Sequence, residues 1–160
     1  MLIYKLNVTN NKGEIMTKSA EELFKEGYNC AQAVFCAHCE ELGIDTETGA
    51  KLASAFGGGM GRMREVCGAL SGLFMLLGLK QGYSNPKDNE AKKELYTKVQ
   101  ELAGEFKSEF GSIICKELLG MKPDSLCNNP NPTPRTENFY QKRPCVDNVK
   151  FASELYQKLK

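Results

Sequence analysis

Seven cysteines and a single histidine are the residues of this 160-residue chain best suited to redox or metal chemistry. In a reducing compartment such a set points to metal binding or thiol redox chemistry before structural disulfides, and an odd count cannot be closed by internal pairing. Four of the cysteines share a local setting. Cys30 follows Asn29, a good helix cap; Cys67 opens a strongly apolar helical segment; Cys115 lies three residues after Ser112; Cys145 follows Pro144. Each is predicted to fall in the first turn of a helix. Unsatisfied backbone N–H groups and the positive end of the helix dipole there favour a thiolate, or a metal cluster held by thiolates. Arg62 and Arg64 are close to Cys67 in sequence and either add positive potential or, as arginines after a glycine turn commonly do, stay solvated.

The other cysteines are sorted by geometry. On one continuous helix Cys39, nine residues from Cys30, points the opposite way, and Cys36 is turned by about 120°. Their C-x-x-C spacing is formally a redox or metal motif, but within an apolar helical segment core packing is the expected role. The residue after Cys39 is Glu40, so covalent haem attachment is excluded. His38 alone cannot make a histidine-rich metal site. Cys127 reads as a surface thiol, with a resolving role toward Cys145 as the alternative.

The glycine turn Gly57-Gly58-Gly59-Met60-Gly61-Arg62 fits neither G-x-x-x-x-G-K-[ST] nor G-x-G-x-x-G, so a nucleotide site gets little support. It does supply close backbone approach and exposed N–H groups ahead of Cys67. Gly59, Gly61, Arg62 and Gly68 are the residues expected to border a cofactor. Tight helix packing through Gly68 and Gly72 is an equal alternative.

The elements that must position these residues are helices, since no alternating run beyond the first eight residues supports a sheet. The expected fold is all-α: a single-domain helical bundle over 17–160, preceded by a poorly ordered extension over 1–16. Ser19 and Glu22 have capping-box spacing, and Gly27 ends the first helix. A second helix is expected from Asn29 to Leu42, stopped by Gly43, and a third from Asp45 to about Phe56. Val66 to Gln81 should be the central, buried helix. Asn85 as cap and Pro86 at the first position should start the longest helix, with Ala91, Leu95, Val99, Leu102, Phe106 and Phe110 facing inward. A short helix through Cys115 to Leu119 is followed by an extended Asn/Pro-rich loop over 120–143, and the last helix starts at Pro144.

Composition narrows the function further. The 21 Lys and Arg against 20 Asp and Glu leave a net charge of +1 without a basic block, which argues against nucleic acid. The apolar stretch Val66–Leu79 is 14 residues and interrupted by glycines, whereas a membrane span needs about 20. No membrane insertion is expected. Met1 to Val8 lacks a basic start and a small-residue cleavage site, so a cytoplasmic location is expected.

The glycine turn followed by Cys67-Gly68-Ala69-Leu70-Ser71-Gly72 resembles the signature of the C_GCAxxG_C_C family of redox-active proteins. Gly27-Tyr28-Asn29-Cys30, Cys115 and Cys145 match the family's other cysteines. The resemblance implies that residues 17–160 form one C_GCAxxG_C_C helical domain. The family is also similar to the iron–sulfur part of split-Soret cytochromes, which implies that the four cysteines can hold a cluster. Relatives described as selenoproteins imply direct thiol chemistry instead.

Three functions follow as expectations. The first is an electron carrier or redox sensor with a 2Fe-2S cluster on Cys30, Cys67, Cys115 and Cys145. Intervening gaps of 36, 47 and 29 residues make its assembly depend on the tertiary fold. The second is a thiol–disulfide oxidoreductase, the one enzymatic reading, with Cys67 and Cys145 as the chosen catalytic pair. The third is a structural zinc protein with a four-cysteine site. A redox partner protein is expected, and a homodimer is left open.

Overall fold

Short polar signals start most of the helices. In the computed structural model, which describes residues 18–125 and 129–160, Ser19 accepts from the Glu22 N–H while the Glu22 carboxylate accepts from the Ser19 N–H. This capping box opens α1 (Ala20–Lys25). Asn29 and Gln32 repeat the arrangement at the head of α2 (Cys30–Cys36). Asp45 caps α3 (Thr46–Ala53) by accepting from Thr48. The extension over 1–16 and Cys127 lie outside the described residues.

The helix expected from Asn29 to Leu42 is not continuous. α2 ends at Cys36, a 3-10 turn spans Cys39–Leu42, and left-handed Gly43 (φ 84) closes it. The break falls at His38 (φ −132, ψ −10), whose buried ring has Nε2 2.8 Å from Ser153 Oγ and Nδ1 3.2 Å from Glu41 Oε1. Those tertiary contacts override local helix propensity.

After a 3-10 turn at Ser54–Phe56 comes α4 (Gly57–Met60), an irregular turn with positive φ at Gly58 and Gly59. α5 (Gly68–Gln81) starts two residues later than expected, because Val66 is drawn into an isolated backbone bridge with Ile114. The long helix α6 (Asn89–Phe110) also starts late. Asn85 Oδ1 accepts from the Lys87 N–H in a tight turn, so Asp88 becomes the cap by accepting from Ala91. α7 (Cys115–Leu118) is one turn. The segment expected to be loop through 143 contains α8 (Glu137–Lys142), capped by Thr136 and anchored by buried Phe139. α9 (Cys145–Gln157) ends the bundle and buries Val149, Ala152, Leu155 and Tyr156.

The fold is all-α, and the Val66–Ile114 bridge is the only sheet-like pairing among the described residues. α5 is the central helix: Gly68 through Leu73, Leu76 and Leu77 are buried where it packs on α2, α9 and α6. Its glycines set the approach to α2. A Cβ on Gly72 would stand 2.7 Å from the Ala31 carbonyl oxygen, too close for any side chain. Among the described residues no helix is long and apolar enough to cross a membrane.

Candidate functional site

The four singled-out cysteines sit at four helix starts. Cys30, Cys115 and Cys145 are the first residues of α2, α7 and α9, and Cys67 is the N-cap of α5. These helix ends face one cavity of about 290 Å³, and all four cysteines line it. Gly59, Gly61, Arg62 and Gly68 line the same cavity. The expected set of eight residues, dispersed over 116 positions of sequence from Cys30 to Cys145, is therefore gathered at one place. Cys36 and Cys39 stay outside it. Cys39 is fully buried with its Sγ only 2.9 Å from where a Cβ on Gly49 would stand, and the thiols of Cys36 and Cys39 donate to the carbonyls of Thr46 (3.8 Å) and Cys36 (3.9 Å).

The glycine turn shapes one wall. The Arg64 N–H donates to the Gly58 carbonyl (3.3 Å) and the Glu65 N–H to that of Gly59 (3.1 Å). The returning strand then clamps α7: the Cys115 N–H donates to Glu65 O (2.6 Å) and the Lys116 N–H to Arg64 O (3.1 Å). Cys67 is fixed by its own N–H donating to Ile113 O at 2.8 Å. At Gly59 (φ 70) a Cβ would lie 2.6 Å from Cys115 Cβ and 2.8 Å from the Glu65 nitrogen, so only glycine fits. Gly68 similarly allows Cys30 Cβ to within 3.1 Å of its own Cβ position. Met60, Arg62 and Arg64 also have positive φ, a conformation that costs about 1–2 kcal/mol per non-glycine residue and clusters at functional sites.

The electrostatics are cationic. Arg64 is buried, not solvated, and its guanidinium reaches Cys115 Sγ at 3.8 Å. Burial pushes the Cys115 thiol up, and Arg64 opposes that rise. Cys67, the most enclosed by protein, is pushed up to about 12 by burial, although the N–H groups of Ala69 and Leu70 at the start of α5 pull the other way. Its Sγ also lies 3.9 Å from the Asn148 amide nitrogen. Cys30 and Cys145 form a pair. The Cys30 thiol hydrogen-bonds the Cys145 sulfur, which raises Cys30 well above and lowers Cys145 below the usual thiol value. Arg143, Arg135 and Arg64 add to the lowering at Cys145. Cys67 and Cys145, the pair chosen from sequence, line the same cavity.

Among the described residues, no three His, Cys, Asp or Glu side chains converge as the ligands of one metal ion would. The cavity-lining Arg135, Arg143, Thr133 and Asn148 were not singled out from sequence. Asn148 carried a usable signal, since it lies three residues after Cys145 and so on the same face of α9. Arg143 stands two residues before Cys145, but nothing in the linear chain turns Arg135 or Thr133 toward the cysteines.

No curated protein and no solved structure is significantly similar to the chain. Residues 28–159, which include all four cysteines and the glycine turn, match the family described as "Putative redox-active protein (C_GCAxxG_C_C)". With that match over most of its length, and with the signature cysteines lining a common cavity, the chain belongs to the C_GCAxxG_C_C family.

Proposed function

We propose that this chain is a small electron carrier or redox sensor whose Cys30, Cys67, Cys115 and Cys145 ligate an iron–sulfur cluster of the 2Fe-2S type. One observation carries the reading: four thiols from four separate helix starts line one cavity. A pair of thiols would suffice for disulfide exchange, whereas four thiolates are the usual complement of a cluster. The residues present fit such a group. Gly59 and Gly68 leave the room that side chains would fill, and Arg64 offers a buried positive charge to offset thiolate charge. When bound, the cluster would supply a one-electron couple. The chain's own residues hold and tune it. Helix-start N–H groups at Ala69 and Leu70 and the Asn148 amide face the Cys67 sulfur, and such hydrogen bonds favour the more negative, reduced state. A protein redox partner and a cytoplasmic compartment belong to the same proposal.

A second reading is favoured by Cys30 and Cys145 lining one cavity, with the Cys145 thiol held low beside Cys30 and Arg143. In a thiol–disulfide oxidoreductase, the Cys145 thiolate would attack a substrate disulfide, forming a mixed disulfide and releasing one thiolate. Cys30, once deprotonated, would then attack Cys145, forming the Cys30–Cys145 disulfide and releasing the second thiol. The protein is oxidised by two electrons and the substrate disulfide reduced by two. A structural zinc site would draw on the same four cysteines.

Anaerobic purification followed by an absorption spectrum and metal analysis separates these readings. The expected result is visible charge-transfer absorption with iron and acid-labile sulfide, lost to a similar degree in each of Cys30→Ser, Cys67→Ser, Cys115→Ser and Cys145→Ser. Zinc alone would favour the structural site. Absence of all three, with a mixed disulfide trapped by Cys30→Ser, would replace the cluster by the dithiol.

A further inference from the structure

Four arginines, Arg62, Arg64, Arg135 and Arg143, line the four-cysteine cavity, and among the described residues no Asp or Glu does. None of the four pairs with a carboxylate among the described residues, where every lysine- or histidine-carboxylate pair lies elsewhere. Two of the four are already committed. Arg64 is buried against Cys115. Arg135 stacks on Phe24 and Phe139, 4.4 and 4.7 Å from their ring centres, and donates to the carbonyls of Phe24 and Tyr28.

Arg143 also stacks on Phe139, at 4.6 Å, but the polar contacts of Arg62 and Arg143 differ from those of the other two. Both donate to the same neutral oxygen, Thr133 Oγ1, at 2.8 and 3.4 Å, so two guanidinium groups are held side by side, and among the described residues no carboxylate pairs with either. Arg62 makes one further bond, to Asn129 O at 3.0 Å. A guanidinium has five N–H donors, so most of those on this pair are unspent. Like charges brought together in a half-buried wall repel unless a negative group joins them. The cluster does not account for all of this charge. Arg143 bears on Cys145 too, but a four-thiolate 2Fe-2S centre carries only roughly −2 when oxidised, against four arginines at the cavity.

We infer that the cavity wall between Arg62 and Arg143 is a binding site for the oxyanion group of a small molecule, held beside the redox centre. Guanidinium forks match the paired oxygens of carboxylate, sulfate or phosphate groups. The cavity of about 290 Å³, shared with the redox centre, is below the usual range of ligand pockets, about 300–1,000 Å³, which leaves room for a small oxyanion group and not a peptide. Its role as a substrate subsite rests on the redox reading above; its existence as an anion site rests only on the arginines.

Titration calorimetry of sulfate and of acetate into the full chain as purified, with chloride holding ionic strength constant, tests this. Saturable binding of either anion is expected, the tighter of the two marking an inorganic or an organic source. Arg143→Gln should weaken it about tenfold or more, as loss of charge-assisted hydrogen bonds requires, and Arg62→Gln with Arg143→Gln should abolish it. Lys98→Gln, on α6 and outside the cavity lining, should leave it unchanged. Iron and sulfide are measured on the same samples, and circular dichroism reports the fold. Binding without iron would sustain this inference and sink the cluster; iron without anion binding would sink this inference alone. Equal affinity in wild type and both arginine variants would overturn it, as would binding that appears only after iron is stripped.

Discussion

Replacing Gly59 with alanine tests whether the glycine turn forms the site by close approach or merely by flexibility. Gly59 and Gly61 both have left-handed backbone, φ 70 and φ 60. Alanine therefore suffers the same conformational penalty at each, about 1–2 kcal/mol. The surroundings differ. At Gly61 the nearest atom to a new Cβ is the Ala55 carbonyl oxygen at 3.7 Å, an ordinary contact. At Gly59 it would stand 2.6 Å from Cys115 Cβ, 2.8 Å from the Glu65 nitrogen and 3.0 Å from the Arg64 carbonyl carbon. Two of those atoms are backbone, tied down by the bonds that join 64–65 to 115–116, so the overlap cannot be relieved by a rotamer change. Overpacking of this kind costs about 1–3 kcal/mol. The expected totals are about 2–5 kcal/mol for Gly59→Ala and about 1–2 kcal/mol for Gly61→Ala. For a chain of this size these correspond to falls in melting temperature of about 10 °C and about 4 °C. Thermal unfolding followed by circular dichroism measures both, and iron and sulfide content reports the site. Only Gly59→Ala should displace Cys115 and deplete the centre. Equal melting temperatures and equal cofactor content in the two variants would refute the close-approach argument.

Two further outcomes are expected. Cys36→Ser and Cys39→Ser should leave cofactor content and spectrum unchanged, because both residues lie away from the four-cysteine cavity; loss of metal in either would redraw the site around the C-x-x-C pair. Burial, helped by the nearby Lys160 charge, lowers the pKa of His38 from its ordinary 6.5 despite the opposing Glu41 carboxylate. A histidine whose folded pKa is lowered takes up a proton more readily when unfolded, so stability falls as pH drops below about 6.5 and the loss is complete only below the folded pKa. Urea midpoints between pH 7.5 and 5.5 should show this slope and lose it in His38→Gln; a midpoint that rises on acidification would mean that the Glu41 ion pair outweighs burial.

What the linear chain determined was local. Ser19, Asn29 and Asp45 announce helix starts because their side chains satisfy backbone N–H groups within three residues, and each is a cap in the structure. The helix start at Cys30 was legible for the same reason; those at Cys67, Cys115 and Cys145 were expected too, although no side chain caps them. So was the central helix, whose run of apolar and small residues has no exposed face to spare over its first turns. Where the reading failed, a contact from outside the segment had decided. His38 breaks α2 because Ser153, 115 residues away, captures its ring; Val66 leaves α5 to pair with Ile114; and α8 forms inside a Pro-rich stretch where Phe139 packs on Phe24.

The site divides along the same line. Sequence supplied its cysteines and glycines, because spacing and residue type carry that information. Only the tertiary structure brought the four cysteines to one cavity, buried Arg64 against Cys115, and turned Arg143 and Arg62 toward a common hydroxyl. Distances between residues this far apart in the chain are set by how α2, α5, α7 and α9 pack, and packing is a property of the whole core that no local pattern encodes.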